Sequence, residues 1–244
     1  MLYFELLCGA SGDMILASLV DLGVPLSYLQ DHFTRLEIPG LTLGQRCRDR
    51  SGKSCTQLAI SWSEQQQRKY RNLASILDLL DRGGYTDKVM ASCRSILMRL
   101  AEAESRVHGV SLQEVHFHEI GAVDTIVDVL GFALAVDYLK ISRVLFSTLT
   151  VGSGTIETAH GRLPVPAPAT VVMLSGFQVQ QLDTGTEILT PTGCAILTAS
   201  GTQVAAKPRG PVRGEGLGCG TKVIRGFSDY LRVLDIVDNM EPLR

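Results

Sequence analysis

Apolar positions along the chain alternate between strand-like and helix-like spacing. The run Leu2-Tyr3-Phe4-Glu5-Leu6-Leu7 reads as a strand, and it ends in the turn Cys8-Gly9-Ala10-Ser11-Gly12. Ile15, Leu16, Leu19, Val20 and Leu22 then recur at helical spacing until Gly23 stops them. Pro25 at a first helical turn opens a second helix through Leu36, closed by Pro39-Gly40. Two strands are predicted at Leu41 to Arg48 and Cys55 to Trp62, around a turn at Ser51-Gly52. Ser63 to Arg71 is polar and reads as an exposed loop. Helices follow at about 72 to 82 and 86 to 107. The second turns Val89, Cys93, Ile96, Leu97 and Leu100 inward, with Glu102, Glu104 and Arg106 read as a solvated face. It ends at His108-Gly109, where a histidine serves as a dipole partner, and Ser111 and Glu114 have capping-box spacing.

The stretch from Glu114 to Leu139 organises the rest. Two of the five histidines fall in it, and an extended His116-Phe117-His118 points both imidazoles to one face. Gly121 breaks the strand and a helix follows. Its apolar positions (Val123, Ile126, Val127, Val129, Leu130, Phe132, Ala133, Leu134, Val136) look in nearly every direction, so it is buried on most sides. Asp124 and Asp128 lie one turn apart on this helix and share a face. A buried carboxylate without a partner costs several kcal/mol or more, so a cation is expected there. Three arrangements answer that need. A divalent Zn, Ni, Mn or Fe ion could join the two aspartates to His116, His118 and Glu119. A structural arginine could neutralise them. Asp124 could also act as a helix cap while Asp128 faces water.

Beyond the central helix, Arg143 to Val151 reads as a strand feeding a loop from Gly152 to Pro168. That loop is rich in glycine and proline, a composition that is stiff yet allows close approach of a ligand. His160 and Arg162 stand in it as candidate binding groups, Arg162 for a phosphate or carboxylate. The plain alternative is a rigid connection before a helix at 168 to 175. A strand near Phe177 to Leu182 precedes a helix at 191 to 200, with Thr190 as cap and Pro191 at its first position. Thr190, Thr192 and the exposed N–H groups there make an anion site or simply a cap. The tail from Gly201 reads as loop until a last strand, Tyr230 to Val237. Near the start of the chain, the order strand, glycine turn, helix at Ser11-Gly12-Asp13 could hold an anion. Asp13 would repel a phosphate, so it either complements the helix dipole or holds a metal or a hydroxyl.

Composition narrows the class. The 244 residues suffice for one large domain or two small ones, and 45% hydrophobic with 20% charged residues describes an ordinary globular protein. A net charge of -2 leaves no footprint for nucleic acid, and no basic helix suggests a membrane surface. The first residues enter a strand without a signal-peptide pattern. Asp128 and Asp137 interrupt the longest apolar run before it reaches the ~18 residues of a membrane span. Six cysteines without a C-x-x-C pair read as free thiols in the cytoplasm. The expected fold is α/β, a mixed sheet with packed helices and some α+β character, with a helical and hairpin insertion around residues 40 to 110.

Several segments together resemble the LarC-type nickel insertases of nickel-pincer nucleotide biosynthesis. They are Leu2-Tyr3-Phe4 with Gly9 to Met14, Glu114 to Asp124, Ala159 to Thr170, Leu189 to Gly193, and the closing Gly216 to Val233 region, in family order. The resemblance implies a cytoplasmic protein that places nickel into pyridinium-3,5-bisthiocarboxylic acid mononucleotide, using CTP with manganese or magnesium. The product is the cofactor of lactate racemase, and an apo enzyme of that type is the implied recipient. The implied chemistry fits the residues argued above, with His116, His118, Glu119, Asp124 and Asp128 as the candidate metal ligands. Ser11, Gly12, Gly152, Ser153, Gly154, Arg162, Thr190 and Thr192 are assigned to the nucleotide. His160 is the candidate base for the pyridinium carbon's proton, with Asp13 beside it in the catalytic role. The family's C-terminal CTP-binding domain is expected on another chain, and a homo-oligomer is expected. Three departures stand out: Gln65-Gln66-Gln67 replaces a histidine-rich run, Glu5 an aspartate and Cys8 a serine. A metal-binding chaperone or subunit and a metal-dependent phosphate-ester hydrolase are the rival readings of the same residues.

Overall fold

A computed structural model describes residues 1–63, 72–115, 117, 122–158 and 161–238. In chain order its first elements are β1 (Leu2–Glu5), α1 (Gly12–Asp21), α2 (Leu26–Thr34), β2 (Thr42–Arg50), β3 (Lys53–Ser61), α3 (Leu73–Arg82) and α4 (Asp87–His108). There follow α5 (Ala122–Tyr138), β4 (Val144–Phe146), β5 (Leu149–Val151), β6 (Thr155–Thr158), β7 (Gly161–Pro164) and α6 (Pro168–Met173). The last are β8 (Val179–Gln181), α7 (Pro191–Ser200), β9 (Thr202–Gln203), β10 (Val212–Gly218) and β11 (Leu231–Ile236). The fold is α/β, as expected.

Its main sheet has the order β2-β3-β10-β11-β1-β4-β9 and is mixed. β1 pairs antiparallel with β11 and parallel with β4. The β2–β3 hairpin joins the sheet where Gly218 of β10 lies beside Thr56. Buried side chains from β1, α1, α4, α5 and α7 share one apolar core, with Phe4, Leu16, Leu97, Leu130 and Ile196 all fully enclosed.

The stretch expected as one strand from Arg143 to Val151 is two. At Ser147 the chain leaves the main sheet: its N–H donates to Phe4 O at 3.0 Å, and its Oγ accepts from Leu6 N at 3.0 Å. β5 then pairs with β8 in a separate ribbon. The glycine-proline loop contains a hairpin, β6 against β7. Within the glycine-rich tail, β10 was not foreseen. Gly214, Gly216 and Gly218 recur at a period of two and turn one face to α1. A Cβ on Gly216 would stand 2.1 Å from Ser18 O, and one on Gly218 would stand 2.2 Å from Met14 O. α1 therefore lies directly on the strand's backbone. Asp21 fixes the far end of α1, accepting from Leu217 N at 2.8 Å and Thr56 Oγ1 at 2.6 Å.

Glu104 corrects a second expectation. It is 6% exposed, not solvated, and its carboxylate lies 3.4 Å from His108 Nε2 one turn on. Among the described residues, no helix is long and apolar enough to cross a membrane.

Candidate functional site

Two loops distant in sequence bring the site together. Ala10 forms a bridge with Leu189, and Thr190 N donates to Ala10 O at 3.1 Å. A Cβ on Gly193 would meet Ala10 O at 2.4 Å, so only glycine lets α7 start this close to the Cys8–Ser11 loop. The N-termini of α1 and α7 thus sit side by side. Thr190 caps α7, its Oγ1 accepting from Gly193 N at 3.2 Å. At the other helix, Ser11 gives no cap. Its hydroxyl donates to Asp13 Oδ1 instead.

α5 runs against α1 and delivers its two aspartates to the same place. Gly12 faces Asp128 so closely that a Cβ would lie 2.2 Å from Oδ2. Asp13, Asp124 and Asp128 converge there. Burial pushes the Asp124 carboxyl up to about 6, helped by the charge of Asp13. Burial, then Asp13, then Asp124 hold Asp128 well above the carboxylate range. Asp13 is also raised by burial, against the opposing pull of the Ser11 hydroxyl and backbone N–H groups. Asp128 Oδ1 is buried without a hydrogen-bond partner, as is Thr125 Oγ1 beside it. Among the described residues, no lysine or arginine forms an ion pair with any of the three aspartates. Nor, among those residues, do three His, Cys, Asp or Glu side chains stand close enough to form a ready-made metal cage.

These groups line a cleft of about 400 Å³, walled by Leu58, Ile60 and Trp62 and edged by Thr190, Thr192 and Thr221. A smaller cavity of about 170 Å³ adjoins it between Cys8, Asp13 and the segment Gly220-Thr221-Lys222. Burial raises the Cys8 thiol to about 11, so it is a neutral wall and not a thiolate. Arg50 holds that segment in place. Its Nη2 donates to Gly220 O at 3.0 Å and its Nε lies 3.4 Å from the buried Asp229 carboxylate. A third cavity of about 340 Å³ opens between α4, the β6–β7 hairpin and the start of α7.

The structure therefore gathers Ser11, Gly12, Asp13, Asp124, Asp128, Thr190 and Thr192 around one cleft. It places others elsewhere. Gly152, Ser153 and Gly154 pack against the 183–186 turn, where Ser153 Oγ donates to Asp183 Oδ1 at 2.7 Å and accepts from Gly185 N at 3.1 Å. Arg162 is exposed on β7 and pairs with Glu157 across the hairpin at 2.8 Å. His116, His118, Glu119 and His160 lie outside the described residues. Sequence reasoning passed over Glu187 and Lys222, which line the cavities. The available signal was an acid in Glu187-Ile188-Leu189, directly before the Thr190-Pro191 helix start.

Three acids with raised pKa values and an orphaned oxygen make a cation-seeking centre. A divalent ion would meet the orphan and relieve the mutual repulsion, and oxygen donors suit Mg, Mn or Ni. The class defined by fold and cleft is thus an α/β protein with three acids around one partly enclosed cleft. The chain belongs to the nickel insertion protein family, whose model, described as "Nickel insertion protein", matches residues 2–242. It is 39% identical over 234 residues to a protein of Geotalea daltonii and 42% over 234 residues to one of Pelobacter propionicus, both named for nickel insertion. A Geobacter sulfurreducens protein of like name is 40% identical over 235 residues, covering 96% of this chain and 60% of its own length. The chain spans about 60% of the length of the curated relatives it matches. No solved structure gives a significant match.

Proposed function

We propose that this chain is the nickel-handling part of an insertase that loads nickel into pyridinium-3,5-bisthiocarboxylic acid mononucleotide, working with a CTP-binding domain. One observation carries the reading: the half-buried Asp13 and Asp124 gathered around the buried Asp128 with its unpartnered oxygen, in a chain of the nickel insertion family. Burial and the neighbouring Asp13 and Asp124 favour the protonated form of Asp128, and nickel entering the cleft competes with that proton. Oxygen donors hold this borderline ion only loosely, so a sulfur and carbon chelate can take it away. His116, His118 and Glu119 extend the donor set from the segment just before α5. Thr190, Thr192 and the α7 N-terminus offer N–H groups and hydroxyls to the substrate's phosphate. CTP with manganese or magnesium acts through the CTP-binding domain, and the finished cofactor passes to an apo lactate-racemase-type enzyme in the cytoplasm.

Calorimetric titration of nickel into wild type and Asp128→Asn tests this, alongside single-turnover insertion with the thiocarboxylate nucleotide, CTP and the C-terminal domain. The expectation is one nickel site in wild type, lost in the variant together with product. Equal nickel affinity in both proteins would refute the site. Nickel binding by wild type without product under any combination would make the chain a metal carrier.

A further inference from the structure

The cleft and its two neighbouring cavities meet at one side chain. Among the described residues, Glu187 alone lines all three. It stands where the backbone comes off the Ala10–Leu189 bridge, and its Oε1 is buried without a hydrogen-bond partner. The cavity on its far side differs from the acidic cleft. Val107, Ile156, Leu163, Pro168 and Pro191 give it apolar walls, Glu104, His108 and Glu157 line its other side, and Lys222 supplies a cation at the edge it shares with Glu187. Apolar walls with an ammonium at one edge suit a flat ring that turns an anionic group toward that edge. A metal on the aspartates and a ring in this cavity would face each other across Glu187.

We propose that Glu187 is the catalytic base for metallation: it takes the proton from the ring carbon as nickel, moving off the aspartates, bonds to that carbon. The inference rests on the insertase reading above. In the step, the C–H bond breaks, its electron pair becomes the nickel–carbon bond, and the proton goes to a Glu187 carboxylate oxygen. Nickel stays divalent, and nothing is oxidised or reduced. Burial raises the Glu187 carboxyl to about 7, while Lys222 and the Ala167 N–H pull the other way, so it can exchange a proton near neutral pH. Glu104 opens on the same apolar cavity, but it is engaged by His108 at 3.4 Å and does not reach the acidic cleft.

The experiment uses the full chain with nickel, the thiocarboxylate nucleotide, CTP and the C-terminal domain. Nickel binding, single-turnover rate and pH profile are compared for wild type, Glu187→Gln and Glu187→Asp. Expected results are unchanged nickel affinity and an insertion rate about 100-fold lower in the glutamine variant. Part of the rate returns in the aspartate variant. The wild-type rate rises with pH through a limb near neutrality that the glutamine variant lacks, and deuterium at the ring carbon slows the wild-type step. Wild-type rates in Glu187→Gln would overturn the assignment while leaving the nickel site standing, because Asp128→Asn would still lose nickel and product. Nickel binding by wild type with no product would overturn the insertase reading and this role with it.

Discussion

Replacing Asp128 by asparagine keeps the shape of the side chain and removes one of three mutually repelling acids. Its effect follows from how tightly those acids hold protons. A carboxyl whose pKa is raised on folding adds stability that is complete below its unfolded pKa and is lost as pH rises through the folded one. For Asp124 that window runs from about 4 to about 6, and Asp128, raised further, extends it upward. Two pKa units correspond to about 3 kcal/mol, which screening reduces to about 1 to 2 kcal/mol because Asp124 still reaches solvent. The metal-free wild type should therefore lose on the order of 1 to 2 kcal/mol through Asp124 alone between about pH 4 and about pH 7. In Asp128→Asn the decline is shallower, so the variant gains on wild type as pH rises. Nickel at about 100 times its Kd should return about 2.7 kcal/mol to wild type and little to the variant. Urea unfolding followed by circular dichroism, across this range with chelator or nickel, measures both effects. Parallel pH curves and equal nickel gains in the two proteins would refute the argument.

Three further substitutions probe the frame. Gly12→Ala places a Cβ 2.2 Å from Asp128 Oδ2 and 2.7 Å from its Cβ. It should cost about 1 to 3 kcal/mol in urea unfolding and weaken nickel binding about tenfold or more by calorimetry. Gly218→Ala meets backbone, Met14 O at 2.2 Å and Ser18 N at 2.4 Å, so α1 must lift off the sheet. A loss of about 3 kcal/mol is expected, with nickel affinity falling because α1 carries Asp13. Arg50→Ala leaves Asp229 buried and unpaired, and should cost about 3 to 5 kcal/mol, with faster proteolysis between Cys219 and Asp229.

How much of this could be read from the chain depended on whether a feature was local. The central helix was legible because its apolar positions surround it and the Asp124–Asp128 spacing fixes a shared face. Asp13 joins them only through the packing of α1 on α5 at Gly12, a contact that no local pattern encodes. β10 was missed for a physical reason. Strand propensity reflects side chains that pack on a pleated surface, whereas this strand is selected for having none on the face beneath α1. Glu104 shows two local signals in conflict. It falls four residues after Leu100 and seven after Leu97, on the buried stripe of α4, while its charge argued for the outside. Spacing decided the outcome, since α6 and α7 cover that side of the helix.

The close glycine contact that hid the cleft's third acid also bears on why, on the proposed reading, the site suits an ion in transit. Small residues at Gly12 and Gly193 draw two helix N-termini and a neighbouring helix together, enclosing three acids in an apolar wall. Enclosure makes the empty cleft unfavourable, so part of a cation's binding energy goes into relieving repulsion and driving off protons. The affinity left over is lower than that of an open carboxylate cage with the same donors. On the proposed reading this is what a donor of nickel requires: a seat strong enough to collect the ion, and one that recovers its protons and loses nothing more when a sulfur chelate removes it. Nickel uptake should accordingly release protons, close to one for each aspartate that was neutral beforehand. Titration in buffers of different ionisation enthalpy would count them. Uptake with no proton release near neutral pH would show that the three acids were ionised all along and that enclosure does not set the affinity.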